Sequence, residues 1–245
     1  MGRNKLLKIQ EFNDAPNCLN HSEGLAGTWH AHFGNENPII LELGCGKGDL
    51  AIGLARQHPD VNYVGVDIKG VRMWTGAQTA LREGLNNVAF LRCDIHGVQQ
   101  FFAPGEVAGI WITFPDPFPK LKGTKNRMTN ERFLKNYTQM IPAGGTVWFK
   151  TDNVTLFDYT LMHFEELNAK EVFRIEVLEH TRDLHNSALV NADNGITTDY
   201  ERRFQKMGKP INYVAFKLSA GPNIGSIPAT DRVALDPDER APRAR

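Results

Sequence analysis

From Pro38 onward the chain alternates short apolar runs with stretches of helical period, and several of those runs end in glycine or a carboxylate. That rhythm predicts a parallel sheet whose strands are joined by crossover helices. Residues 39–43 (Ile-Ile-Leu-Glu-Leu) read as the first strand, and a helix over 49–57 follows a glycine-rich turn. A strand over 61–67 leads into a helix over 72–83, and further strands are predicted over 87–92, 109–114 and 145–150. A helix over 130–140, with Asn130 placed as its cap, and another over 156–167 cover the later strands. Two late strands, over 172–178 and 211–218, complete the pattern. The expected fold is α/β, a mostly parallel doubly wound sheet with a C-terminal antiparallel strand.

The flanks break this rhythm. Residues 1–37 are polar and weakly periodic, and read as an N-terminal extension packing loosely on one domain over 38–220. Its Arg3, Lys5 and Lys8 are candidates for phosphate contact. From Gly221 on, Pro, Ala, Asp and Arg dominate and large apolar side chains are scarce. Such a segment cannot offset its ordering entropy, so 221–245 are expected to form a disordered tail.

Composition narrows the class. A chain of 245 residues with 41% hydrophobic content can bury one substantial core. Lys+Arg and Asp+Glu stand at 28 each, so no global field draws the chain to nucleic acid, and such affinity must come from local patches. Cys18, Cys45 and Cys93 have neither disulfide nor zinc spacing, which points to a reducing cytoplasm and no metal. No apolar run has the length of a signal peptide or a membrane span, so a soluble cytoplasmic protein is expected.

The glycine loop Glu42-Leu43-Gly44-Cys45-Gly46-Lys47-Gly48 closes the first strand–helix turn. Glycines let the backbone turn sharply and let a ligand approach closely. Asp49 stands where a dinucleotide fingerprint needs its third glycine, and Lys47 is followed by Gly48 where a phosphate loop needs Ser or Thr. The neighbouring acids point elsewhere. Asp67 ends the second strand, where an acid can accept from ribose hydroxyls. Asp94 ends the third strand and is a candidate acceptor for an adenine amino group; Glu42 is placed to attract an ammonium. Carboxylates around the site would repel a pyrophosphate but suit S-adenosylmethionine, with its amino group and sulfonium. Any one of these acids alone also reads as a solvated strand end.

After the fourth strand comes Phe114-Pro115-Asp116-Pro117-Phe118-Pro119-Lys120. Each proline fixes its own φ and restricts the residue before it, so Asp116 is held at the sheet end. Because ligands of such sheets bind outside the carboxyl ends of the strands, Asp116 and the glycine loop should face one cleft. A fixed carboxylate there suits methyl transfer to a nitrogen, where positive charge must be managed.

These segments resemble the bacterial tRNA (guanine-N7-)-methyltransferase family over roughly residues 38–217. The resemblance rests on the Glu-Leu-Gly-Cys-Gly-Lys-Gly loop, Phe-Pro-Asp-Pro with Lys120, Lys150-Thr151-Asp152, and Thr198-Asp199-Tyr200-Glu201-Arg202. It implies a Rossmann-like S-adenosylmethionine-dependent methyltransferase fold. It also implies methyl transfer to N7 of a guanine in the tRNA variable loop. By the same resemblance Glu42, Gly44, Gly46, Asp67, Asp94 and Asp116 belong to the cofactor site, with Asp116 also catalytic. Lys120, Asp152, Thr198, Asp199, Tyr200 and Glu201 would engage tRNA, Asp152 and Glu201 accepting from guanine N1–H and its amino group. The chain departs from the commoner pattern at Phe118, where Trp is frequent, and after Lys120, where a His with paired basic residues is often found.

Lys120, Lys122, Lys125, Arg127 and Arg132 form a basic strip beside Asp116, and Arg202, Arg203, Lys206 and Lys209 a second one. Both are candidate phosphate-tracking surfaces, although the second also reads as a solvated helix face. The stretch 186–195 reads either as a lid that orders with RNA or as a plain surface loop. His30 and His32 lack a third metal ligand; Trp29, Trp74, Trp111 and Trp148 read as core. A monomer or homodimer is expected. Two other functions fit the pattern less well: methylation of an exocyclic amine on nucleic acid or protein, and a catalytically silent RNA-binding scaffold.

Overall fold

The computed structural model describes residues 3–20 and 24–227. The apolar runs form strands β2 (Ile39–Leu43), β3 (Asn62–Asp67), β4 (Val88–Arg92), β5 (Gly109–Thr113) and β6 (Gly145–Thr151), with β7 (Phe173–Thr181) and β8 (Asn212–Ala220) following. Helices α3 (Asp49–Gln57), α4 (Gly70–Glu83), α5 (Glu131–Met140), α6 (Val154–Ala169) and α7 (Asp199–Lys206) connect them. Asn130 caps α5 as expected, its side chain accepting from Arg132 N.

With an edge strand β1 (Cys18–Asn20), the sheet order is β1-β4-β3-β2-β5-β6-β8-β7. Strands β2 to β6 are parallel, and β8 runs antiparallel between β6 and β7. The expected mixed sheet is therefore present. Its order reverses between β2 and β5, which places the ligand crevice beyond their carboxyl ends. Two apolar clusters cover the two faces, one including Phe133, Phe149 and Phe216, the other Leu50, Met73 and Phe90.

The N-terminal extension is not loosely packed. Its helix α1 (Arg3–Asp14) lies against α4, and strand β1 (Cys18–Asn20) adds parallel to β4 at the sheet edge. Phe12 and Trp29, the latter on the short helix α2 (Trp29–Phe33), are buried. The Trp29 indole N–H donates to Phe101 O at 2.8 Å, and its ring stacks on Phe102 at 5.1 Å. Two large anchors hold the segment, too few to create a visible period. Of the proposed phosphate contacts here, Lys8 holds its ammonium 4.2 Å from the Trp74 ring centre; the Arg3 side chain lies outside the described residues.

The other end shows a similar shift. Gly221 N donates to Val172 O at 2.9 Å, and buried Ile227 accepts from Lys135 Nζ at 2.7 Å. Residues 221–227 are thus packed, while the rest of the expected tail, 228–245, lies outside the described residues. The stretch 186–195 is pinned: Asn194 is buried with its side chain bonded to Leu189 O and Asn191 N, and Asp193 meets His58 at 2.6 Å. Trp29 and Trp111 are core, while Trp148, stacked on Trp111 at 5.1 Å, and Trp74 are half-buried.

Candidate active site

Two adjoining chambers open at the switch point. One, about 290 Å³, lies on the β3–β4 side and includes Gly44, Asp67, Asp94 and His96 in its wall. The other, about 480 Å³, lies on the α7 side and includes Gly46, Lys47, Thr198, Asp199 and Tyr200. Gly44, Arg72, Thr113, Phe114 and Asp116 line both. Asp116 stands at the seam.

The glycine loop follows from β2 and β3. Gly44 N and Cys45 N donate to Val66 O at 2.8 and 3.1 Å, turning the chain over the end of β3. Gly44 and Gly46 take φ of 77° and 57°, and no atom stands within 4 Å of where a Cβ would sit. The loop is an open cradle that a side chain would fill. Asp67 accepts from Gly46 N at 3.0 Å and Lys69 N at 2.9 Å. Burial raises its pKa, while those two N–H donors and the charges of Arg72 and Lys69 pull it back. Asp94 caps the turn after β4, accepting from His96 N at 3.0 Å and lying 2.8 Å from His96 Nδ1.

Glu42 departs from expectation. It is buried beneath the loop, accepting from Ala51 N at 3.0 Å and the Thr113 hydroxyl at 2.9 Å, and it is not among the wall residues of either chamber. Burial pushes its pKa up to about 8. In this structure its carboxylate ties β2, α3 and β5 together rather than facing the cleft.

The Asp116 turn is held by more than its prolines. Phe114 and Phe118 adopt φ of 49° and 42°, a region rare for bulky residues and one that concentrates at functional sites. Phe114 N donates to Lys150 O at 2.9 Å. Arg127 is buried, donating to Pro117 O at 3.0 Å and Phe118 O at 3.1 Å while stacking on Tyr159 at 4.2 Å. The sequence pattern put Arg127 on a phosphate surface. The structure makes it a clamp on the Asp116 turn, because it is buried and its Nε and Nη2 donate to two carbonyls of that turn. Lys120, Lys122 and Lys125 remain exposed, and Lys120 lies outside both chamber walls.

The segment Thr198-Asp199-Tyr200-Glu201 opens α7 and divides by role. Thr198 caps the helix by accepting from Glu201 N at 3.0 Å, and Glu201 reciprocates by accepting from Thr198 N at 3.2 Å, a capping box. Glu201 is completely buried; it accepts from Lys150 Nζ at 2.9 Å and sits 2.7 Å from His185 Nε2. With its oxygens so engaged, Glu201 is not open to a guanine, contrary to the expectation above. Lys150, equally buried, also donates to Asn194 O and Ile196 O at 2.9 and 3.1 Å. Burial lowers its pKa, and the Glu201 charge and hydrogen bond oppose that.

Asp199 lies 2.7 Å from Lys47 Nζ and 3.1 Å from Arg203 Nη2. The Tyr200 ring packs 5.5 Å from Phe114. Burial raises the Tyr200 pKa, with the charges of Asp152 and Asp116 adding to it. Tyr200 therefore feels the charges of both carboxylates, those that follow β5 and β6. Asp152 is half-buried, and burial raises its pKa. Among the described residues no group of three or more His, Cys, Asp or Glu could hold a metal ion.

A family model described as a putative methyltransferase matches residues 36–214. A tRNA (guanine-N(7)-)-methyltransferase of Cytophaga hutchinsonii is 42% identical over 222 residues, covering 89% of this chain and 99% of the relative. One from Bacillus subtilis is 38% identical, covering 76% of this chain and 83% of the relative. The chain belongs to the tRNA (guanine-N(7)-)-methyltransferase family. The fold agrees: a crystal structure of the 16S rRNA methyltransferase KamB superposes with a TM-score of 0.60 at 14% identity, covering 79% of this chain and 94% of its own. An antibiotic-related methyltransferase superposes with the same TM-score, 0.60, at 16% identity, covering 83% and 96%.

Membership in this methyltransferase family makes S-adenosylmethionine the cofactor, and the open cradle at Gly44 and Gly46, with Asp67 and Asp94 beside it, fits that molecule. The structure brings Gly44, Gly46, Asp67, Asp94, Asp116, Thr198, Asp199 and Tyr200 to one cleft. It sets Glu42 and Glu201 behind the walls, and Lys120 and Asp152 outside them. Arg72 and Thr113 line the cleft without having stood out in sequence, since single polar residues at loop ends carry no periodic signal, and the pairing of Asp199 with Lys47 was not foreseen either.

Proposed function

We propose that this protein transfers the methyl group of S-adenosylmethionine to N7 of a guanine in the tRNA variable loop. The observation that carries the reading is Asp116, held by a strained proline turn at the seam of the two chambers. Bound S-adenosylmethionine supplies a methyl group on a positively charged sulfur. Gly44 and Gly46 leave room for it, Asp67 receives its ribose and Asp94 its adenine amino group.

Guanine N7 already carries an unshared pair, so no residue need remove a proton before attack. The residues of the α7-side chamber instead hold the base in line with the methyl group, and such positioning can supply roughly 7–11 kcal/mol of barrier reduction. Asp116 faces the positive charge as it passes to the purine, and its fixed geometry avoids reorganisation during the transfer. Asp152 lies outside both chamber walls but near enough for its charge to act on Tyr200, and in this reading it accepts from guanine N1–H and the amino group of a base reaching past Tyr200, donors that adenine lacks on that edge. Thr198, Asp199 and Tyr200 line the α7-side chamber. Lys150, Glu201 and His185 act from behind by fixing the start of α7 against β6.

The reading suits a cytoplasmic protein acting as a monomer or a homodimer. No helix among the described residues is long and apolar enough to cross a membrane. The test is incubation of purified protein with labelled S-adenosylmethionine and unmodified tRNA, followed by nucleoside analysis. N7-methylguanosine is expected. A methylated exocyclic amine, or no transfer, would overturn the assignment.

A further inference from the structure

Three cations line the α7-side chamber: Lys47, Arg72 and Arg203. Lys47 and Arg203 are both committed to Asp199, at 2.7 and 3.1 Å. Arg72 is exposed, and among the described residues no carboxylate lies within ion-pair distance of its guanidinium. It also lines the β3–β4-side chamber, so it shares the seam with Asp116. Its backbone is set by the fold: Lys69 takes the N-cap position of α4 just after Asp67, and Arg72 N donates to Lys69 O at 2.9 Å in the first turn.

A guanidinium is planar, permanently charged and shaped for bidentate contact with phosphate oxygens. Of the carboxylates nearest the seam, Asp67 already accepts from two backbone N–H groups, and the backbone carrying Asp116 is restrained by the left-handed φ of Phe114 and Phe118. With the donor's ribose assigned to Asp67 in the reading above, a group meeting Arg72 from the seam would arrive with the second substrate. Resting on the tRNA reading above, we propose that Arg72 anchors a backbone phosphate next to the target guanine. The remote negative charge is thereby used to set the depth at which N7 reaches the seam. The exposed Lys120, Lys122 and Lys125 lie on the turn that follows Asp116, so the RNA strand would be held from both rims of the cleft.

The test uses the full chain, an unmodified tRNA transcript and S-adenosylmethionine. Wild-type protein must first form N7-methylguanosine; if it does not, the tRNA reading fails, whatever Arg72 does. Given that product, Arg72→Gln should weaken tRNA binding about tenfold, the weight of one charge-assisted contact. The slope of log affinity against log salt should also fall by about 0.7–0.9, the signature of one lost phosphate contact. S-adenosylmethionine affinity, measured by calorimetry without RNA, should stay within about twofold. Arg72→Lys should restore the slope but not the full affinity, since an ammonium keeps the charge and loses the fork. An unchanged tRNA affinity and salt slope in Arg72→Gln overturns the proposal. So does a loss of donor affinity in place of RNA affinity, which would assign the guanidinium to the donor's carboxylate.

Discussion

The two chambers are built by different means. On the β3–β4 side the wall consists of strand ends: Gly44 after β2, Asp67 closing β3, Asp94 after β4. Each is placed by its own strand and held by nearby backbone, as Asp67 is by Gly46 N and Lys69 N. On the α7 side the wall is the first turn of a helix, and that turn is held by side chains distant in sequence. Lys150 and Glu201 meet 51 positions apart, and Lys47 meets Asp199 across 152. A donor pocket can therefore rest on local geometry, whereas the wall facing the base depends on long-range charge pairing, buried at Lys150–Glu201 and exposed at Lys47–Asp199.

The sharpest way to break this contrast is at Glu201. Glu201→Gln leaves the buried Lys150 ammonium without its counter-charge, and breaking such a pair costs about 3–5 kcal/mol. Urea unfolding should show that loss, and activity should fall with it. Asp152→Asn, at the half-buried carboxylate, should leave the unfolding midpoint nearly unchanged while raising KM for tRNA. Equal stability in Glu201→Gln and wild type would remove the claim that the α7 wall depends on this pair. At the seam, Asp116→Asn should lower kcat by about 10²–10³-fold, in the range seen when one preorganised electrostatic group is lost. Donor affinity by calorimetry should be little changed. Undiminished single-turnover rates would dissociate Asp116 from the chemistry.

The contrast also accounts for what was readable in sequence. Strands β2 to β6 are apolar runs, so their ends, and with them Gly44, Asp67, Asp94 and Asp116, could be located from pattern and the switch-point rule. Glu201 could not be assigned correctly from its charge alone, because burial depends on a partner that only folding supplies. Two signals pointed to its role nonetheless. Thr198 followed three residues later by Glu201 is a capping-box pattern, and Lys150 closes the apolar run of β6. Arg127 was similarly misread, since a cation in a basic strip gives no sign that carbonyls two turns away will claim its donors. The N-terminal extension was read as loose because Phe12 and Trp29 anchor it singly, without a repeat.

Within the donor side, Glu42 offers a pH test. Its pKa in the fold is pushed by burial from the ordinary 4.5 to about 8. Below about pH 4.5 both folded and unfolded chains hold the proton, and Glu42 carries no penalty. As pH rises towards 8 the unfolded chain ionises first, so the contribution of Glu42 to stability declines through that window. Glu42→Gln should lack this decline. Thermal melts from pH 5 to 8 should show wild-type Tm falling relative to the variant, and parallel curves would mean that the buried carboxylate is ionised throughout.

The smallest effects separate clamp from contact on the loop after Asp116. Lys122 and Lys125 are exposed, whereas Arg127 is buried against Pro117 O, Phe118 O and the Tyr159 ring. Lys122→Gln and Lys125→Gln should each reduce the salt slope of tRNA binding by up to about 0.7–0.9 and leave kcat alone. Arg127→Ala should do the reverse: the slope stays, and kcat falls because Phe118 is freed from its left-handed backbone and Asp116 loses its fixed position. Arg127→Lys should not rescue it, since one ammonium cannot span both carbonyls and stack on the ring. If Arg127→Ala instead lowers the salt slope as the lysine variants do, the residue reaches RNA, and the turn is held by its prolines alone.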